Sequence, residues 1–236
     1  MDIQPELREL EMQTYAIYTS QLENGNTPLI LAAEIGHKET VELLLQHKAQ
    51  VDAAKKDGRT PLFIAALNGH KETVELLLQH KAQVDAAKKV SRGPLRECCA
   101  GWGTPLLVAA QNGHKETVEL LLQHKAQVDA ANEEWGTPLY IAAQNGHKET
   151  VELLLQHKAQ VDAAKKDGRT PLLIAAQKGH KETVELLLQH KAQVDAANKD
   201  GWTPLHIAAM NGHKETVELL LQHKAQVDAA NELVPA

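Results

Sequence analysis

Aromatic residues make up only 3% of the chain, with one phenylalanine, Phe63, so any interior must be assembled from Leu, Ala, Val and Ile. Cysteine is scarcer still: the only two, Cys98 and Cys99, are neighbours. Adjacent Cα atoms lie about 3.8 Å apart, closer than the roughly 4.4–6.8 Å of an ordinary disulfide. A disulfide framework is therefore excluded, which favours a reducing, intracellular and cytoplasmic setting and leaves secretion by a non-classical route open. No apolar run approaches the roughly 18 residues of a membrane span, and Met1 to Pro5 carry neither the basic cluster nor the apolar stretch of a signal peptide. A basic surplus is missing too. With 25 Lys and Arg against 31 Asp and Glu, nothing gathers phosphates, so neither nucleic acid nor membrane is the expected partner. Thirteen His outnumber the net charge of −6, so full protonation would turn the chain cationic.

What the chain has is repetition. Thr-Pro-Leu begins at Thr27, Thr60, Thr104, Thr137, Thr170 and Thr203, with spacings of 33, 44, 33, 33 and 33. Between these landmarks the string GHKETVELLLQHKAQVDAA recurs unchanged six times, from Gly36, Gly69, Gly113, Gly146, Gly179 and Gly212. Each unit reads as two short helices and a turn. Thr caps the first helix, Pro takes its first position where a missing N–H costs nothing, and a Leu-x-Ile-Ala-Ala run gives a small apolar face. Glycine ends that helix. The second helix puts Val41, Leu44 and Leu45 on one stripe, with Lys38, Glu39, Glu42 and Gln46 on the wet side. Helices of two or three turns are marginal in water, so the units must stack: Ala pairs allow close approach and Leu triplets fill the space between units.

The 33-residue period, together with Thr203-Pro204-Leu205-His206-Ile207-Ala208, resembles the ankyrin repeat. The resemblance implies an all-α solenoid of stacked antiparallel helix pairs with projecting β-turns and a concave binding face. It divides the chain into an N-terminal capping helix over 1–24, a diverged half repeat, and six repeats in 25–236: about 25–57, 58–101, 102–134, 135–167, 168–200 and 201–231, then a short tail. Within the first segment, Leu10, Met12, Gln13 and Ala16 align with Leu43, Leu45, Gln46 and Ala49.

Three departures stand out. Where the family has Gly after the second helix, this chain has Lys48, Lys81, Lys125, Lys158, Lys191 and Lys224, at an expected cost of about 1 kcal/mol per copy. Five copies replace the signature His with Ile30, Phe63, Leu107, Tyr140 or Leu173, which leaves its polar contact to His206 alone. Eleven extra residues, 90–100, enlarge one turn, for about 1.2 kcal/mol of closure entropy. That insert holds Arg92, Leu95, Arg96, Cys98 and Cys99, suiting either a contact loop or a passive insertion.

Differences between copies concentrate in turns and first helices. These positions, which line the concave face in relatives, form the expected partner-binding set: Arg59, Leu67, Asn68, Trp102, Gln111, Asn112, Trp135, Tyr140, Gln144, Asn145, Arg169, Gln177, Lys178, Trp202, Met210 and Asn211. Tryptophan, tyrosine, methionine and arginine are the residue types of interface anchors; drift after duplication is the competing explanation.

Catalysis is not expected. Walker, Gly-x-Ser-x-Gly and His-Glu-x-x-His motifs are absent, and Gly101-Trp102-Gly103 is a bare fragment of a dinucleotide fingerprint. No cofactor and no metal site is expected either. Equivalent histidines on stacked helices stand about 8–10 Å apart, too far to share an ion that each ligand must approach to about 2.1 Å, so both His series read as structural. The chain thus reads as a scaffold that binds another protein through the concave face and turn tips. The alternative is a passive spacer, or a fragment of a multidomain protein whose active domain is absent. The last repeat, without a polar closing helix, leaves room for self-association.

Overall fold

The computed structural model describes residues 25–86, 103–132 and 135–228. Outside them lie the expected capping helix 1–24, Trp102, the insert residues Arg92, Leu95, Arg96, Cys98 and Cys99, and the tail from 229. The described residues form twelve helices in six pairs: α1 Pro28–Ile35 with α2 Lys38–Gln46, α3 Pro61–Asn68 with α4 Lys71–Gln79, and α5 Pro105–Gln111 with α6 Lys115–Gln123. Then come α7 Pro138–Asn145 with α8 Lys148–Gln156, α9 Pro171–Lys178 with α10 Lys181–Gln189, and α11 Pro204–Met210 with α12 Lys214–Gln222. Among these residues there is no strand, only an isolated bridge between Asn132 and Gly136 in one turn.

Local chemistry sets both ends of each helix. In every first helix the Thr hydroxyl accepts from the backbone N–H three residues on, as Thr27 does from Ile30 and Thr137 from Tyr140, and Pro fills the first helical position. At Thr203 the His206 ring closes the reciprocal bond, making a capping box that no other copy has the side chain to form. Each second helix carries Glu in its first turn, where the helix dipole favours negative charge. It ends at a His whose Nδ1 donates to the carbonyl four residues back, at 2.9 Å for His47 to Leu43 and 3.0 Å for His80 to Leu76. The following Lys then turns left-handed in all six copies, with φ of 64–66°.

First helices pack on first helices and second on second, so the pairs stack into one row. The Ala pairs from Ala65 and Ala66 to Ala175 and Ala176 are fully buried, which permits that close approach. Val74, Leu76, Leu77 and Leu78 show how a second helix is consumed: all four are buried, in a helix that packs on its own partner and on both neighbouring second helices. The Thr of this helix is not among the core residues the sequence pattern suggests, yet Thr73, Thr117, Thr150, Thr183 and Thr216 are each 1% exposed, whereas Thr40 of the first pair is open. In Thr73 and Thr117 the hydroxyl finds no hydrogen-bond partner among the described residues.

Polar joints link each pair to the one before. The His that opens a second helix donates from Nε2 to a carbonyl at the end of the preceding first helix: His70 to Glu34, His114 to Leu67, His147 to Gln111, His180 to Gln144 and His213 to Gln177, all at 2.9–3.1 Å. At the other end of the unit an Asp carboxylate accepts from the backbone of the next copy: Asp52 from Gln83, Asp85 from Gln127, Asp129 from Gln160, Asp162 from Gln193 and Asp195 from Gln226. The insertion leaves this untouched. Asp85 and Leu67 bond to Gln127 and His114 as their counterparts do elsewhere, so the pairs on either side of the insertion dock in the same way as the others.

Candidate partner-binding surface

The expected contact residues divide by what the fold asks of them. Tyr140 is a correction: its side chain is 1% exposed, so it fills the core rather than meeting a partner. It occupies the helix position of Phe63, Leu107 and Leu173, which are also buried, because the third residue of each first helix points into the stack. Burial pushes the Tyr140 hydroxyl above its usual pKa, partly offset by the Arg169 charge, while Lys165 of the next turn sits 5.3 Å from the ring centre.

Asn68, Asn112 and Asn145 face solvent, but each amide already has an assignment. Asn68 Nδ2 donates to Glu34 O at 2.9 Å, Asn112 to Leu67 O and Asn145 to Gln111 O, both at 2.8 Å. They share their acceptors with the joint histidines, so three residues expected to meet a partner also hold neighbouring units together. Lys178 stands at the same place in the fifth pair, where the bond to Gln144 O comes from His180 and none from the lysine is seen. Asn211 turns to Ile207 of its own helix instead. Lys178→Asn should therefore add one inter-unit hydrogen bond and raise stability by about 0.5–1.5 kcal/mol, read as a higher urea midpoint at unchanged slope.

The turn tips present the remaining side chains on short, preorganised loops. In the turn after α2, Lys55 N donates to Arg59 O and Gly58 N to Lys55 O, while Asp57 accepts from both the backbone and Nε of Arg59. The turn before α9 repeats this with Asp167 and Arg169. There the Arg169 hydrogen bond holds the Asp167 carboxyl below its ordinary pKa and raises that of the guanidinium. Both arginines are half-buried and held in place by their own turn.

The two described tryptophans differ, as their reversed order with glycine suggests. Trp135, before Gly136, is half-buried and packs on the core, its backbone N–H donating to Oδ1 of Asn132. Trp202, after Gly201, meets the His206 ring edge-on at 5.8 Å between centres. Met210 is 63% exposed, Lys178 is exposed, and Leu67, Gln111, Gln144 and Gln177 are half-buried. Among the described residues no three His, Cys, Asp or Glu side chains are placed to hold a metal ion. The histidines do what their helix-end positions suggested: one series closes second helices and the other joins neighbouring pairs. No helix among the described residues is long and apolar enough to cross a membrane.

Capped helix pairs in a single stacked row, with differing side chains along turns and first-helix ends, define the class: a helix-pair repeat solenoid built to present a surface. The family model for ankyrin repeats (3 copies) matches residues 8–88, 92–165 and 158–231, and the chain belongs to the ankyrin-repeat family. It is similar to the crystal structure of the human ASB11 ankyrin repeat domain, with a TM-score of 0.76 and 26% sequence identity over 88% of each chain. No curated protein matches the sequence. Ankyrin repeats are in general protein-interaction modules, and the fold is a non-catalytic scaffold.

Proposed function

We propose that this chain binds a protein partner along the face formed by its first-helix ends and turn tips. Trp135, Trp202 and Met210 are the apolar anchors, with Arg59, Arg169, Lys178, Leu67, Gln111, Gln144 and Gln177 around them. The observation that carries this reading is a division of labour within each unit. The invariant string is used up by the scaffold: Val and Leu in the core, His and Asp in the joints, Lys and Glu on the outer wall. Apart from the interior third and fourth positions of each first helix, the residues that differ are left at or near solvent on hydrogen-bonded turns and helix ends, where binding needs little further ordering of the backbone. Tryptophan, methionine and arginine set among polar groups are residue types that tight recognition uses.

The test compares the parent chain with Trp135→Ala/Trp202→Ala/Met210→Ala in affinity capture, after thermal unfolding shows both folded. Tyr140 is left alone because its loss would open the core. A captured protein that binds the parent and binds the triple variant at least about tenfold more weakly supports the reading, since one anchor is worth about 1–2 kcal/mol or more. Equal binding by both would sink it and favour a passive spacer.

A further inference from the structure

The net charge of −6 is not spread evenly over the chain. Each copy of the nineteen-residue string carries two Lys, two Glu and one Asp, so the framework it builds is acidic. Between residues 25 and 231, the positions outside that string hold twelve Lys and Arg against seven Asp and Glu. The side chains that change from copy to copy are therefore basic in balance. Those among the described residues stand on turns and first-helix ends, the same places as the apolar anchors.

The described cations gather around the fifth pair. Lys165, Lys166 and Arg169 belong to the turn before α9, Lys178 ends that helix, and Lys199 lies in the following turn. The two turns are bonded: Lys199 N–H donates to Asp167 O at 3.0 Å, and a Cβ on Gly168 would stand 2.9 Å from Lys199 N. Asp167 and Asp200 are the carboxylates of these two turns, and Asp167 is bound by Arg169 of its own turn. Comparison with the second pair shows what is missing beside Lys165. Its counterpart Lys55 has Nζ 4.0 Å from Glu34 Oε2, whereas Gln144 takes the place of Glu34 in the fourth pair. The Lys165 ammonium lies 5.3 Å from the centre of the Tyr140 ring instead. Lys178 and Lys199 are exposed. Trp202 closes the turn that holds Lys199, and Met210 ends α11, which packs on α9.

We propose, on the reading above that the turn tips bind a protein, that the partner presents an acidic segment at this patch. Its Asp or Glu side chains meet Lys165, Lys178 and Lys199, and an apolar residue beside them is held by Trp202 or Met210. Carboxylates spaced along a peptide suit cations that stand singly on successive elements, and opposite charge across a contact sets partner choice and register. A nucleic acid suits them poorly. Its phosphates recur about every 1.7 Å along a duplex, a density that single lysines on an acidic framework do not match.

A library of random short peptides panned against the full chain tests this. Recovered peptides should carry an excess of Asp and Glu over the unselected library, and their affinity should fall at least about tenfold between roughly 50 and 500 mM salt. Lys165→Glu/Lys178→Glu/Lys199→Glu should weaken their binding by about tenfold or more, while Lys38→Glu/Lys71→Glu/Lys115→Glu on the outer wall changes it less than about twofold. Arg169 is kept because it holds its own turn. If the first variant loses helix in circular dichroism, Lys165→Gln/Lys178→Gln/Lys199→Gln replaces it, with a smaller loss in the same direction. Peptides without an acidic excess overturn the proposal, as does a library that yields no binder. So do acidic peptides that bind the lysine variant as well as the parent, or single-stranded DNA that binds more tightly than any recovered peptide. Peptides that ignore the lysine changes but lose affinity for Trp135→Ala/Trp202→Ala/Met210→Ala overturn the acidic partner alone and leave protein binding at the turn tips standing.

Discussion

Replacing Lys48, Lys81, Lys125, Lys158, Lys191 and Lys224 together with Gly should raise the unfolding free energy by several kcal/mol. All six lysines adopt φ of 64–66° just after a second helix, a conformation that crowds an L side chain against the carbonyl and that glycine enters freely. About 1 kcal/mol per site, less the entropy glycine adds to the unfolded chain, gives on the order of 3–6 kcal/mol for six independent sites. The flanking bonds remain, since Lys48 N–H to Leu45 O and Ala49 N–H to Leu44 O use backbone only. Guanidinium denaturation of the sixfold variant should show a clearly higher midpoint, and each single change about one sixth of the gain. An unchanged midpoint would mean that the lysines recover the strain energy through contacts of their own.

Gly113→Ala should have a large effect of opposite sign. Gly113 has φ of 72°, and a Cβ built there would stand 2.6 Å from Nδ1 of the His147 ring. That ring cannot step aside without losing the bond from Nε2 to Gln111 O. Strain of about 1 kcal/mol from the dihedral adds to the loss of the hydrogen bond and the displacement of a packed ring, for about 2–4 kcal/mol in all. Because the damage falls at a junction, it should also weaken the coupling between the first three pairs and the last three. The variant's melting transition should be broader than the parent's, or divide in calorimetry, as expected when one interface in a row of nearest-neighbour units is weakened. Adding His147→Ala should recover part of the loss. If the double variant is as unstable as the two single losses added together, the clash is not the cause.

The fold was readable in the sequence because its determinants are local and recur: Thr-Pro-Leu marks the start of a helix, Gly-His its end, and six copies in one register leave little choice of architecture. The turn at Lys48 was readable for the same reason, since it follows the second helix at a fixed distance. The surface was harder to read. Tyr140 looked like an anchor by residue type, but type does not say which way the third residue of a short helix points, and stacking turned it inward. Asn68, Asn112 and Asn145 looked like polar contacts because they vary with the copy, yet their acceptors lie about one repeat earlier in the chain, at a distance that only the stack defines. Recurrence itself held a usable signal, since Asn occupies this place in most copies, as a joint would require.

The buried third position of each first helix has a consequence for assembly of the chain. A row of units with the same second helix can dock out of order: the fifth pair could settle on the second as comfortably as on the fourth, as far as Val, Leu, His and Asp are concerned. This interior position changes between successive units, as Ile30, Phe63, Leu107, Tyr140, Leu173 and the half-buried His206, although leucine serves twice, and the next residue also changes, as at Val108. They act as address labels, because a ring packed where a branched chain belongs leaves a void or an overlap. Copies that made this position uniform would keep the same architecture but fold with more misdocked, slowly correcting intermediates.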